Sequence, residues 1–427
     1  MRRTCSVLAL LSGVLFCQCH CGRSPAGDAD GDGDTATVDS GSDGDIDADI
    51  DADIDGDLND AEPDLDEDPD LEVEQPAVCG EDDRPAWSWS PYECSDEPTP
   101  RDCCASCRQL TCRGPSLWAF DIWGDKVVYE YDASVGIVDV STGEDTVVFF
   151  PRDLGEDHFI SYLYPAISSR YVLALRVEGY RVDGEARALE TVVARNLTDL
   201  SVPEIVLGDS AEQPEIIGIN AYEEWAVWSR INTSNGFRED VLSNIETGEQ
   251  RITDQERGDY GTSLTSIWGD LVVWSTTDGV LKEYRISTGE TRVAFRAPPE
   301  MRPLQNVTIW DHYAIYNPQP SGRGSWDIIL VDLDTGEGRW LSPPDSNQDQ
   351  VSIQGGRVIW TDYRGADPRY PWGMHIYLFS LRTAREYVLS SSARSGANPL
   401  IFDRNVVWSG EQELGRSGVW VTRIGDI

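Results

Sequence analysis

The chain has 427 residues, and its 76 acidic side chains outweigh 34 basic ones to give a formal net charge of −42. No basic cluster is available to neutralise phosphates, which excludes nucleic acid as a partner. Beyond the N-terminus no run approaches the roughly 18 apolar residues of a membrane-spanning helix.

The first element is "MRRTCSVLALLSGVLFCQCHCGRS", in which Arg2 and Arg3 precede an apolar stretch from Ser6 to Phe16. This is the pattern of a secretory signal, predicted over residues 1–26, and it implies an exported protein of the cell envelope, periplasm or medium. Cys17, Cys19 and Cys21 follow the apolar stretch and resemble the lipid-attachment end of bacterial lipoprotein signals. Those signals carry a small residue before the modified cysteine, whereas Phe16, Gln18 and His20 stand here. Cleavage after "SPA" (24–26) is the alternative. The lipid anchor is the only contact with a membrane that the sequence implies.

Residues 27–78 form an Asp-rich tract. From Asp28 to Glu74 there are eighteen Asp, four Glu and no Lys or Arg, so this segment supplies −22 of the −42. Within it "DADIDGDLNDAE" places Asp51, Asp53, Asp55, Gly56 and Glu62 at the ligand spacing of a calcium-binding EF-hand loop. An alternating D-x-D tract meets the first three positions in many registers, and the Gly- and Asp-rich flanks and Pro69 oppose the two helices the motif needs. No metal is therefore expected there, with calcium capture by Asp51, Asp53, Asp55 and Glu62 as the alternative. Alternate carboxylates about 7 Å apart repel by roughly 0.6 kcal/mol per pair even in water, which keeps such a chain extended and solvated. The tract reads as a disordered tether whose reach lies between roughly 40 Å as a coil and 165 Å fully extended.

Six cysteines, Cys79, Cys94, Cys103, Cys104, Cys107 and Cys112, follow within residues 79–112, and none occurs later. An even count in an exported chain implies a disulfide module with fifteen possible pairings, because so short a segment cannot bury enough apolar surface by itself. Cys104 and Cys107 form a C-x-x-C, which export assigns to a structural bridge rather than to zinc or redox chemistry.

From residue 108 onward the chain repeats. Compare "DIWGDKVVYEY" (121–131), "SIWGDLVVWST" (266–276), "TIWDHYAIYNP" (308–318), "SIQGGRVIWTD" (352–362) and "LIFDRNVVWSG" (400–410), with weaker copies at 166–176 and 218–230. The shared Ile falls at 122, 167, 219, 267, 309, 353 and 401, a spacing typical of propeller blades. Each copy reads as a short strand, a turn such as "WGD", and a β-branched run ending in an aromatic. A third strand then ends in a tight turn, "VDVSTGE" (138–144), "SNIETGE" (243–249), "YRISTGE" (284–290) or "VDLDTGE" (331–337), whose Gly supplies positive φ. A fourth strand completes each unit. This predicts an all-β fold, a seven-bladed β-propeller of four-stranded blades over residues 108–427. The last copy stops after its third strand, and "RQLT" (108–111) is a strand without a blade, so 108–111 is predicted to complete blade seven.

These units resemble TolB-type and WD-repeat-like propeller repeats. They are closest to the "I-x-G-x-x-V-V-W … D-I-Y-L-x-D-L-x-T-G-E" pattern of exported microbial surface proteins, best matched by "SWDIILVDLDTGE" (325–337) and "MHIYLFSLRT" (374–383). The resemblance covers about three quarters of the chain and implies the fold, not an activity. TolB itself has a preceding α/β domain with no counterpart here, so its partners do not carry over.

No nucleophile elbow, zinc-protease, phosphate-loop or dinucleotide motif occurs, and His158, His312 and His375 fall in three different units. "DLDTGEGRW" (332–340) resembles the tryptophan-docking motif of quinone-dependent dehydrogenase propellers, but Trp340 alone holds that position, and no cofactor is expected. The second-strand aromatics Tyr129, Trp228, Trp274, Tyr316, Trp360 and Trp408 share one register, which predicts packing between blades rather than a sugar-stacking ring. Second-to-third-strand loops emerge on the face opposite the short turns: 177–190, 232–240, 317–326 and 362–374. The last two carry Arg323, Trp326, Tyr363, Arg364, Tyr370 and Trp372, the composition of contact hot spots. The expected function is a monomeric, non-enzymatic propeller binding a protein or glycan at the cell envelope through these loops. The alternative is a propeller enzyme acting on surface polysaccharide with loop carboxylates as acid and base.

Overall fold

A computed structural model describes residues 108–111, 119–155, 158–182, 185–209, 215–232, 236–257, 265–276, 278–297, 307–318, 327–341, 348–364, 374–390, 396–411 and 417–424. The signal segment, the acidic tract and all the cysteines lie outside these residues, as do Arg323, Trp326, Tyr370 and Trp372.

The described strands form seven antiparallel sheets. Their innermost strands are Phe120–Trp123, His158–Ile167, Glu215–Tyr222, Ser266–Trp268, Val307–Trp310, Gln348–Gln354 and Gly396–Phe402. Successive inner strands touch, and the last touches the first, so the sheets close into a ring. The fold is the predicted seven-bladed propeller. Arg108–Thr111 is the outer strand of blade 7, antiparallel to Ser417–Arg423 with Arg108 opposite Val421 and Thr111 opposite Val419. Blade 2 departs from the four-strand pattern, because Arg152–Gly155 adds a fifth strand beside its inner strand.

The repeated β-branched run has a direct physical cause. Each blade is buried on both faces, and such strands are apolar throughout rather than alternating. In blade 4, Val272 and Trp274 pack back toward blade 3, while Val273 between them packs forward onto blade 5. Val127, Val128 and Tyr129 do the same between blades 7 and 2, as do Val358, Ile359 and Trp360 between blades 5 and 7. Seven apolar clusters among the described residues each join one pair of neighbouring blades. The second-strand aromatics are wedges between blades, as their register predicted. Blade 2 has Ala174 in that place, and Phe149 of blade 1 stacks on its Tyr162 instead, at 5.0 Å.

The turns follow the sequence closely. Gly143, Gly248, Gly289 and Gly336 of the T-G-E turns adopt φ of 74°, 72°, 71° and 73°. Blade 3 corrects the repeat alignment. Tyr222 pairs with Trp225 as Trp123 pairs with Lys126 and Trp268 with Leu271, so Ala221, not Ile219, occupies the shared Ile position. The correction matters because Tyr222 then reaches the ring axis. Trp123 lies 5.3 Å from Tyr222, 6.3 Å from Trp268 and 4.7 Å from Phe402, and Tyr222 lies 4.9 Å from Trp268. Aromatic rings from blades 1, 3, 4 and 7 therefore meet across the axis at the short-turn face.

Two equivalent tyrosines differ in their hydrogen bonding. Tyr129 donates to both oxygens of Asp145 at 2.7 Å. Tyr316 is fully buried with its hydroxyl unpartnered, since Gly338 stands where Asp145 does and the Phe295 ring fills the space above it. Burial raises the Tyr316 hydroxyl far above the usual phenol range. Hydrogen bonds to charged groups contribute about 1.5–3 kcal/mol, so Tyr129→Phe should destabilise by roughly that amount. Tyr316→Phe should be neutral or stabilising by up to about 1 kcal/mol, because it removes an unmet donor. Urea denaturation of both variants checks the contrast, and equal losses would contradict it.

Candidate functional site

The second strands all run toward one face, and most of two predicted loops there is strand. Residues 177–182 and 185–190 lie in a long hairpin of blade 2, Tyr171–Val182 paired with Glu185–Asn196. Residues 232 and 237–240 lie in the hairpin of blade 3, Trp225–Asn232 paired with Phe237–Asn244. The tip of the Phe159 ring lies against Gly179 in the blade 2 arm, where a Cβ would come within 2.3 Å of it, so a larger residue would force the ring to move. Phe150, Leu154, Phe159, Tyr164 and Val182, on this arm and its approach from blade 1, are exposed apolar side chains.

Where the inner strands reach this face, the ring mouth is built from β-bulges. Tyr164, Gly218, Gln350 and Asn398 each stand four residues before the aromatic-plug level of their strand, at φ of 47°, 63°, 55° and 52°. The pairing register shifts at all four. Bulges re-aim side chains and free backbone amides at barrel rims. Here the preceding blade satisfies the amides of two bulge residues and of two residues beside the bulges. Glu130 Oε2 accepts from Tyr164 N–H at 3.1 Å, and Asp121 Oδ2 from Ile167 N–H at 2.9 Å. Glu190 Oε2 accepts from Ile216 N–H at 2.8 Å, and Gln350 Oε1 from Asn398 N–H at 2.6 Å. The polar residues that follow the wedge aromatics complete the belt: Ser229 reaches Thr265 of blade 4, and Asn317 Nδ2 donates to Gln348 O of blade 6.

Burial pushes the Asp121 carboxyl up to about 6 and Glu130 up to about 7, against the opposing pull of the amides they hold. Burial also raises Asp349, whose Oδ1 accepts from Gln350 N–H. Several described cations of this face are engaged within the protein. Arg238 makes a buried bidentate pair with Asp240, Arg230 pairs with Glu239 at 2.7 Å, and Lys282 pairs with Asp254, which also accepts from Trp274 Nε1.

Of the predicted contact residues, Arg364 is held by Asp362 at 2.7 Å and Glu386 at 2.9 Å, with its guanidinium 4.4 Å over the Tyr377 ring. Burial, and then the Asp349 carboxylate, raise the Tyr363 hydroxyl. Arg323, Trp326, Tyr370 and Trp372 fall outside the described residues. The three histidines do not assemble: His158 pairs with Glu178 on the blade 2 arm, His312 lies at a short turn of blade 5, and His375 starts the third strand of blade 6. Trp340 is exposed at the end of an outer strand. Asp121, Glu130 and the bulge residues went unnoticed in the sequence, where only Gly218 and Asn398 hint at positive φ.

No protein-family model and no curated protein matches this sequence. Solved structures do. The propeller domain of the Trilobed protease from Pyrococcus furiosus aligns with a TM-score of 0.53 and 11% identity, over 72% of this chain and 95% of that one. Oligogalacturonate lyase from Vibrio parahaemolyticus aligns at 0.52 and 14%, over 75% and 94%. Acylaminoacyl peptidase aligns at 0.51 and 13%, over 73% of this chain and 51% of its own. At such identities the likeness is one of fold. The Pyrococcus propeller is described as an open velcro, whereas here Arg108–Thr111 pairs into the last blade.

The raised carboxyls set a sign for pH dependence. Both hold protons in the folded state that the unfolded chain releases near pH 4, so the stability they contribute is full below about pH 4 and lost as pH rises through 6 and 7. Glu130→Gln keeps an acceptor for Tyr164 N–H but cannot ionise. Its unfolding midpoint should fall less than that of the unmodified protein between pH 5 and 8, leaving it the more stable at pH 8. Parallel pH profiles would refute this assignment.

Proposed function

We propose that this protein is an exported, non-enzymatic propeller that binds a protein or glycan at the cell envelope through its long-loop face. The observation that carries the reading is the contrast between the two faces. The short-turn face is closed at the axis by Trp123, Tyr222, Trp268 and Phe402, while the opposite face bears the projecting blade 2 arm with its exposed apolar side chains. Binding is favoured over catalysis because the described carboxylates and cations of the mouth hold backbone amides or one another. Arg364, pinned by Asp362 and Glu386, acts in this reading as an anchor for the 362–374 loop. The repeat motifs support membership among TolB-type propellers of exported microbial proteins. The acidic tract serves as a tether, and the lipid anchor, where formed, lies on Cys17, Cys19 or Cys21.

A second reading draws support from Asp121 and Glu130, whose carboxyls burial raises to about 6 and about 7, toward the range of general acids. It is an enzyme acting on surface polysaccharide. Incubation of the protein and its Glu130→Gln variant with envelope polysaccharides separates the two, since reducing-end release by the unmodified protein alone would favour the enzyme. For the binding reading, the full chain and a variant with 317–326 and 362–374 replaced by Gly/Ser turns are immobilised and exposed to envelope glycans and solubilised envelope proteins. Replacement should lower retention at least tenfold, and retained binding would remove the long-loop assignment.

A further inference from the structure

Blade 5 carries a group of side chains that neither the fold nor the binding reading uses. His312 lies in its first short turn, and Asp332 and Asp334 lie in its second. One imidazole nitrogen and one oxygen from each carboxylate lie within 4.8 Å of one another. We propose that these three residues form a surface site for a first-row divalent transition ion of the Zn2+ class, which clamps the two short turns of blade 5 together.

The local geometry is prepared for such an ion. Asp311 Oδ2 sits 2.8 Å from His312 Nδ1, a carboxylate–imidazole contact of the kind that orients metal-bound histidines. Asp332 Oδ1 accepts from Asp334 N–H at 3.0 Å and Thr335 N–H at 3.1 Å, which fixes the carboxylate and leaves Oδ2. Two carboxylates so close repel unless a positive charge lies between them.

In other blades several side chains at the same pair of turns are satisfied within the protein. In blade 1, Asp125 accepts from Asn405 Nδ2 at 2.8 Å and lies 3.3 Å from Arg423, and Asp139 lies 3.4 Å from Lys126. In blade 4, Asp270 accepts from Ser287 N–H at 2.8 Å and Ser287 Oγ–H at 2.6 Å, with Arg285 3.6 Å away. In blade 3, Glu246 is paired with Arg170 of blade 2. In blade 5, among the described residues, neither Asp332 nor Asp334 has an ion pair, and the Asp334 carboxylate accepts no hydrogen bond. Arg292, whose charge reaches Asp334, is occupied by Glu283 and Leu333 O. Among the described residues, blade 5 is where two such carboxylates gather within reach of an imidazole.

Imidazole with carboxylates suits zinc and its neighbours, whereas calcium takes an all-oxygen shell. Three protein ligands leave room for water to complete the shell. The site lies on the face opposite the long loops and is independent of the binding reading.

The test is calorimetric titration of Zn2+ into the full, oxidised chain with Ca2+ in large excess to occupy the acidic tract. We expect one Zn2+ per chain, bound at least tenfold more weakly by His312→Ala and by Asp334→Asn, and unchanged in His158→Ala, which removes an imidazole–carboxylate pair on the blade 2 arm. Asp334 is exposed, so Asp334→Asn should fold normally, and the Zn2+-induced rise in Tm seen with the unmodified chain should vanish in it. Equal isotherms for the unmodified chain and His312→Ala, or no Zn2+ binding by the unmodified chain, would overturn the proposal.

Discussion

Everything in this propeller depends on the burial of both faces of each sheet between its neighbours. A single four-stranded blade has no interior of its own. Its Val-Val-aromatic strand sends one residue forward and two backward, so each blade supplies half of two different cores. A fully buried side chain of this size contributes about 1.5–3 kcal/mol only while the neighbour it faces is in place. The stability of the ring is therefore shared around it, and the wedge aromatics recur because each gap between blades is alike. Where blade 2 lacks the wedge, a stacked pair from two blades fills the gap instead.

The two ends of the ring meet the axis with different chemistry, and the cause lies in the inner strands. At the short-turn end the inner strands of blades 1, 3, 4 and 7 finish on large aromatics, whose rings meet across the axis. At the other end four strands kink through bulges, which turn amides toward the preceding blade and draw carboxylates and amide side chains to meet them. Bulges spend regularity to create positions that a straight strand cannot offer. Tyr164, a bulky residue held at positive φ, is the clearest instance.

The repeat was readable because inter-blade burial imposes the same residue types at the same spacing, and the T-G-E glycines were readable because positive φ demands them. The closing strand followed from a count, since the last unit lacked one strand and the chain before the first had one spare. Other features left little or no trace in sequence. Blade 3 keeps an Ile near the expected place, and only pairing with Trp225 shows that Ala221 and Tyr222 hold the structural positions. The segments 177–190 and 232–240 are polar and Gly-bearing, yet a hairpin can lengthen through such residues when its edges stay in water. Arg364 reads as a surface cation until Asp362, two residues away and fully buried, is seen to hold it. The cluster of His312 with Asp332 and Asp334 unites two turns that the sequence separates, and only the blade's meander brings them together.

The pairing of Arg108–Thr111 with Ser417–Arg423 joins segments from opposite ends of the ring sequence. During synthesis the blades between them can form in order, each resting on the one before, but the last interface waits for the final strands to emerge. Until then blade 1 presents one bare face and the early strand has no partner. Contacts of such wide sequence separation are slow to form. A ring without this last pairing is an open crescent with a bare blade face at each end.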